Sequence, residues 1–214
     1  MQDYPIEIQP IDESPTSRAK KNVTTIIIIL LVVILAVASA LVVRFAVLST
    51  IIVDGISMYP TLDGGNGRNA DSDPENGEML FLYKLGSIER RDIIVFTAPS
   101  EWNMQDANGN SKKLVKRVIA VGGDHIQITD TQIYLNGQLL VEEDIDFFEI
   151  PDYLNMQTKG SGIDIYVPEG HVFCMGDNRN HSTDCRYFES TISLDLIEGK
   201  CILVKDMDNH LRKP

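Results

Sequence analysis

The sequence predicts an all-β domain of antiparallel sheets behind one N-terminal transmembrane helix. Three observations predict it. One uncharged apolar run, Asn22 to Val43, is long enough to cross a bilayer. After it, short apolar runs of strand length recur, separated by turn formers. Nothing after the run keeps a helical period for long; only "STISLDLI" (190–197) reads as a short helix.

Residues 1–21 are polar and contain Pro5, Pro10 and Pro15, the composition of a disordered tail. Arg18, Lys20 and Lys21 then precede "IIIILLVVILAVASALVV" (26–43). Counted from Asn22 to Val43, a helix spans roughly 33 Å at roughly 1.5 Å per residue, about the thickness of a bilayer core. The basic cluster before it, with little basic charge close behind, predicts a single-pass protein of the cell membrane. Residues 1–21 would be cytoplasmic, 22–43 the anchor, and 44–214 an extracytoplasmic β-rich domain. "AVASA" also holds Ala38-x-Ala40, the small-residue pattern of a signal-peptide cleavage site. The apolar run exceeds the roughly 7 to 15 residues of a signal-peptide core, which favours an uncleaved anchor.

Beyond the anchor the expected strands lie in "FAVLSTIIV" (45–53), "EMLFLYKL" (78–85), "DIIVF" (92–96), "KLVKRVIAV" (113–121) and "HIQI" (125–128). They continue in "QIYLNGQLL" (132–140), "IDIYV" (163–167), "HVFCMG" (171–176) and "KCILVKD" (200–206). Gly122-Gly123 and Pro168-Glu169-Gly170 are turn signals, and Asn136-Gly137 signals a two-residue hairpin. Residues 63–78 and 98–112 are polar, rich in Asn, Asp and Gly, and read as surface loops.

Composition excludes several function classes. The chain carries 19 Lys+Arg against 31 Asp+Glu, a formal charge of -12. Nucleic acid needs a basic face, so it is no expected partner. The lipid bilayer is a partner through the anchor rather than through charge. The cysteines are Cys174, Cys185 and Cys201; their spacing fits no metal site, and an odd count leaves at least one thiol unpaired. The acidic "EEDID" (142–146) reads as a solvated face rather than a calcium site. No metal and no cofactor is expected.

Three motifs carry chemistry. "LVKRVIAVGGD" (114–124) is a strand entering a Gly-Gly turn; Leu114, Lys116, Val118 and Ala120 share one face. Lysine on a strand ordinarily snorkels or blunts an edge. Among apolar neighbours it can instead be buried, and burial lowers its pKa toward the range of a general base. "VDGISMYPTL" (53–62) places Ser57 between Gly55 and Tyr59-Pro60, either a plain turn residue or a nucleophile on a sharp bend. "GDNRNHSTDCR" (176–186) crowds polar groups after a strand; Asp177, Arg179, Asp184 and Arg186 can pair with each other, and Ser182 could orient an uncharged lysine. His181, beside Ser182 and Asp184, leaves a Ser57/His181/Asp184 triad conceivable.

"SMYPTL", "KRVIAVGGD" and "VPEGHVFCMGDNRNHSTDCR", in this order behind one anchor, resemble the signatures of bacterial type I signal peptidase, a membrane-anchored Ser/Lys endopeptidase. The resemblance covers about residues 40 to 205. It implies an all-β catalytic core, Ser57 as nucleophile, Lys116 as general base, and Ser182 as the serine that hydrogen-bonds the lysine. Asp177, Arg179, Asp184 and Arg186 would form the ion-pairing scaffold. The implied substrates are signal peptides of exported pre-proteins, cut after small residues of the Ala-x-Ala type. The family often adds an oxyanion donor two residues before the nucleophile, where this chain has Gly55. Two other departures are Cys185, where serine is usual, and Arg91, where Gly precedes the Asp. The alternatives are a non-catalytic membrane-anchored assembly factor of the same fold, or a peptidase dedicated to a few substrates.

Overall fold

The computed structural model describes residues 15–65, 77–129, 132–143, 145 and 162–214. The chain divides into two units, Met1–Phe45 and Ala46–Pro214.

In the first unit, helix α1 (Pro15–Val42) continues into a short π-helical stretch, Val43–Val47, that leads to the second unit. From Asn22 to Val42 the helix is long and apolar enough to cross a membrane, and none of that stretch is buried inside the protein. The helix starts well before the apolar run. Arg18, Lys20 and Lys21 therefore stand on its first turns, not in a disordered tail. Proline suits such a start, because its fixed φ is helical and its missing N–H would have no partner there. The rest of the expected tail, residues 1–14, lies outside the described residues.

The second unit is built of antiparallel strands. They are β1 (Leu48–Ile52), β2 (Met79–Tyr83), β3 (Ile93–Thr97), β4 (Lys113–Val121), β5 (His125–Ile128), β6 (Ile133–Leu135), β7 (Gln138–Leu139), β8 (Ile163–Tyr166), β9 (His171–Met175), β10 (Ile192–Ser193), β11 (Ile197–Lys205) and β12 (Leu211–Arg212). Among the described residues the larger sheet runs β1-β2-β11-β3-β4-β9-β10, with β12 on β11; the smaller runs β7-β6-β5-β8.

Strand β3 shows why the larger sheet holds together. Ile94 and Phe96 enter one hydrophobic core, with Leu114, Val118, Ala120 and Phe173. Ile93 and Val95 enter a second, with Val53, Met58, Leu62, Leu80 and Val204. A central strand covered on both faces reads as a continuous apolar run, as "IIVF" does. Strand β4 occupies the residues the sequence predicts, and Asn136 (φ 53) with Gly137 (φ 77) makes the predicted hairpin turn between β6 and β7.

The short helix expected at 190–197 shrinks to one turn. Residues 190–197 are not a helix: Ile192–Ser193 is strand β10, paired with Val172 and His171, and only Leu194–Leu196 makes a 3-10 turn. Ile192 is wholly buried, and a β-branched residue beside an open strand edge gains more from pairing than from one helical turn. Among the described residues the second unit has instead the short α-helix α2 (Cys185–Phe188), whose Arg186 N–H is met by the Asp184 side chain. Arg91 stands at a constrained backbone position. It takes φ 76, a left-handed conformation that glycine adopts without strain.

The loop at 98–112 is better held than its composition implies. Trp102 is buried, stacks on Phe188 at 4.2 Å and donates to Ser190 Oγ at 3.0 Å. Of the loop at 63–78, residues 66–76 lie outside the described residues.

Candidate active site

Ser57 and Lys116 meet. Lys116 Nζ lies 2.6 Å from Ser57 Oγ and donates to the Val115 carbonyl at 2.9 Å. Their partners in the chain explain the meeting. Lys116 pairs in register with Ile94 at the centre of the larger sheet, which fixes its Cα. Ser57 follows the end of β1 in a bend where Gly55 has φ 88 and Tyr59 N–H closes on the Ile56 carbonyl at 3.1 Å.

Lys116 is 2% exposed. Burial penalises its ammonium and lowers its pKa from the ordinary 10.5 to about 8; the negative charges of Asp184 and Asp177 oppose the shift without cancelling it. Ser57 is only half-buried and opens on a groove of about 830 Å³. Residues 51–58 form one wall and 110–116 the other, with Met104, His181 and Thr183 beside them. Strand β9 pairs with β4 only from Arg117 onward, so the edge of 113–116 away from β3 is left open by β9.

The 176–186 loop surrounds the pair. Asn178 N–H donates to the Ser57 carbonyl at 3.0 Å, and its side-chain amide donates to the Ile56 carbonyl at 3.1 Å. Asn178 is thus the direct link between this loop and the serine bend. Sequence reasoning passed over it, because an Asn inside a polar run carries no sign of what it faces. Gly176 is demanded by close approach: a Cβ there would lie 2.4 Å from the Ser57 carbonyl oxygen and 2.3 Å from Ser182 Oγ.

The ion pairs differ from expectation. Of the four charged residues at 177–186, only Asp184 and Arg186 pair with each other, at 2.9 Å. Asp177 takes a two-pronged bond from Arg117, at 2.9 and 2.7 Å, with both side chains buried. Arg179 pairs with Glu142 at 2.6 Å and donates to the Gly176 carbonyl at 3.0 Å. The reason is geometric. A guanidinium seeks a buried carboxylate across the fold, and neighbours in a tight loop cannot all face one another. Arg117, a bystander in the strand pattern, is a main support; its Nη1 also donates to the Arg91 carbonyl at 3.1 Å.

Ser182 does not hydrogen-bond Lys116. It donates to Asp184 at 2.6 Å, a stronger bond because the acceptor is charged. Burial alone would raise the Asp184 carboxyl, but Arg186, Ser182 and the Gly176 N–H hold it below the ordinary carboxylate range. With Asp184 so engaged and His181 exposed, the Ser57/His181/Asp184 triad is not formed. The three cysteines are free and buried; Cys185 Sγ accepts the Cys174 N–H at 3.2 Å.

The family model for signal peptidase, peptidase S26, matches residues 24–205. Signal peptidase I T of Bacillus subtilis (strain 168) is 30% identical over 202 residues, covering 91% of this chain and 93% of that one. Signal peptidase I of Bacillus amyloliquefaciens is 31% identical over 197 residues, covering 88% and 90%. The crystal structure of a signal peptidase I from Enterococcus faecalis V583 matches with a TM-score of 0.39 and 28% identity, over 54% of this chain and 97% of that one. With the family model spanning most of its length, the chain belongs to the signal peptidase family, peptidase S26.

Proposed function

We propose that this protein is a membrane-anchored serine endopeptidase that removes signal peptides from exported pre-proteins, cutting after small residues of the Ala-x-Ala type through a Ser57/Lys116 dyad. The observation that carries this reading is the 2.6 Å contact between Lys116 Nζ and Ser57 Oγ at the floor of an open groove.

The mechanism follows from the two groups. Lys116 acts in its neutral form, which burial makes accessible near pH 8. The neutral amine accepts the Ser57 hydroxyl proton as Oγ attacks the scissile carbonyl. The resulting ammonium gives that proton to the leaving amine, and a water then releases the acyl group by the same route. In this mechanism the Ser57 N–H is the oxyanion donor, and Gly55 adds no side-chain donor. The substrate enters extended between residues 51–55 and 112–116 and pairs with their main chain as an added strand. Asp177, Arg179, Asp184 and Arg186 carry no proton in the reaction. They hold the loop that fixes the serine bend.

Helix α1 would retain the protein in the cell membrane, with residues 1–21 cytoplasmic and 44–214 outside. Detergent-solubilised full-length protein incubated with a pre-protein tests the reading directly. The product's new N-terminus should follow an Ala-x-Ala site, and Ser57→Ala should yield no product. An intact pre-protein after incubation with the unaltered chain would favour the non-catalytic alternative.

A further inference from the structure

Strand β12 lies beyond the residues that the family model matches, yet it reaches the serine bend. Arg212 Nη2 donates to the Thr61 carbonyl at 2.8 Å and to both carboxylate oxygens of Glu78, each at 2.8 Å. Glu78 is 5% exposed. A buried carboxylate is costly unless paired, and Arg212 is the cation that pairs with it.

What Arg212 holds is the base of the nucleophile turn. Residues 58–62 form a turn closed by the Leu62 N–H on the Met58 carbonyl at 3.0 Å; Met58 and Leu62 are fully buried. The chain then leaves at Asp63 and returns at Glu78, and the two are stitched together. Asp63 N–H donates to Glu78 Oε2 at 2.9 Å, and Glu78 N–H donates to the Asp63 carbonyl at 3.0 Å. The Glu78 carbonyl accepts the Val53 N–H at 2.9 Å, just before Ser57's bend. One guanidinium thus ties both sides of that bend: Thr61 after the serine, and through Glu78 the strand end before it. Arg212 is placed by its register, opposite Val204 of β11, after a turn that Asp206 closes on His210.

We propose that Arg212, with Glu78, is a positioning residue for the nucleophile: the β11–β12 hairpin clamps the Ser57 bend at its reacting distance from Lys116. This rests on the Ser57/Lys116 reading. A small displacement of a reacting group is enough to slow a reaction by about 100-fold, so a loosened bend acts on the chemical step rather than on substrate capture.

The test uses full-length protein in detergent and a pre-protein substrate. Arg212→Met should lower kcat about tenfold with KM within about twofold of the unaltered chain. Because this substitution also strands a buried carboxylate, Glu78→Gln/Arg212→Met is measured beside it. The double variant should regain thermal stability while kcat stays low, since the Thr61 carbonyl still lacks its guanidinium donor. An unchanged kcat in Arg212→Met overturns the proposal. So does a kcat that returns with stability in the double variant, which would make the clamp merely structural, and so does a loss expressed mainly in KM, which would place the defect in the groove. Failure of the unaltered chain to cleave any pre-protein would instead defeat the underlying Ser57/Lys116 reading.

Discussion

At the scale of single residues, the proposed dyad gives Lys116 a part in the pH behaviour of both reaction and fold. On that proposal its neutral form is the active one, and burial lowers its pKa to about 8. Cleavage measured as kcat/KM should therefore rise with pH through about 8 and level off above, not near the roughly 6.5 of a histidine. The same shift bears on stability. The buried lysine loses its proton at about 8, whereas an unfolded one keeps it to 10.5. Between these values the unfolded chain binds more protons, so stability rises with pH across that window. Lys116→Met should remove the dependence. Thermal melts should show the variant more stable than the unaltered chain at pH 7, with the gap closing toward pH 10. The sequence made this lysine visible, because Leu114, Val118 and Ala120 share its face. It did not reveal that Ser182 bonds Asp184, since the choice between two nearby acceptors depends on sub-ångström placement.

At the scale of elements, strand β4 and the loop after β9 carry the site. The strand was legible from its alternation, and its ends fell where the sequence placed them. The loop was legible as a polar cluster but not as a set of contacts. Arg117 and Glu142 are distant in sequence from Asp177 and Arg179, and nothing in a single strand or loop names a partner across the fold. The Arg117–Asp177 pair predicts a particular pattern. Either Arg117→Met or Asp177→Leu alone should cost about 3 to 5 kcal/mol in denaturant unfolding, because each takes from a buried charge its partner at 2.7 Å. The double variant should cost less than the sum. Gly176→Ala should abolish cleavage, since its Cβ cannot fit against the Ser57 carbonyl. His181→Ala should keep most activity in the same assay, because His181 is exposed and Asp184 is engaged by Arg186 and Ser182.

At the scale of the whole molecule, the sequence predicted an apolar helix and an antiparallel β domain but not the order of strands. Strand β11 lies between β2 and β3, and β12 returns beside it. Periodicity marks where strands are and which side is buried; it does not say which edges pair. The two-unit division has its own consequence. Residues 46–214 contain both hydrophobic cores, so a chain lacking residues 1–43 should still fold, with a cooperative thermal melt and a β-type circular dichroism spectrum that has lost the helical signal of α1. The full chain should stay with vesicles in high salt, because apolar burial and not charge holds it there. Release by salt alone would contradict an anchoring helix. The account as a whole turns on lysine as the base that activates Ser57, and the cleavage rate of Lys116→Ala on a pre-protein tests this most directly. The account predicts a folded protein with no detectable cleavage from pH 6 to 10, and a Ser57→Ala/Lys116→Ala double variant no worse than either single one. Substantial cleavage by folded Lys116→Ala would contradict it.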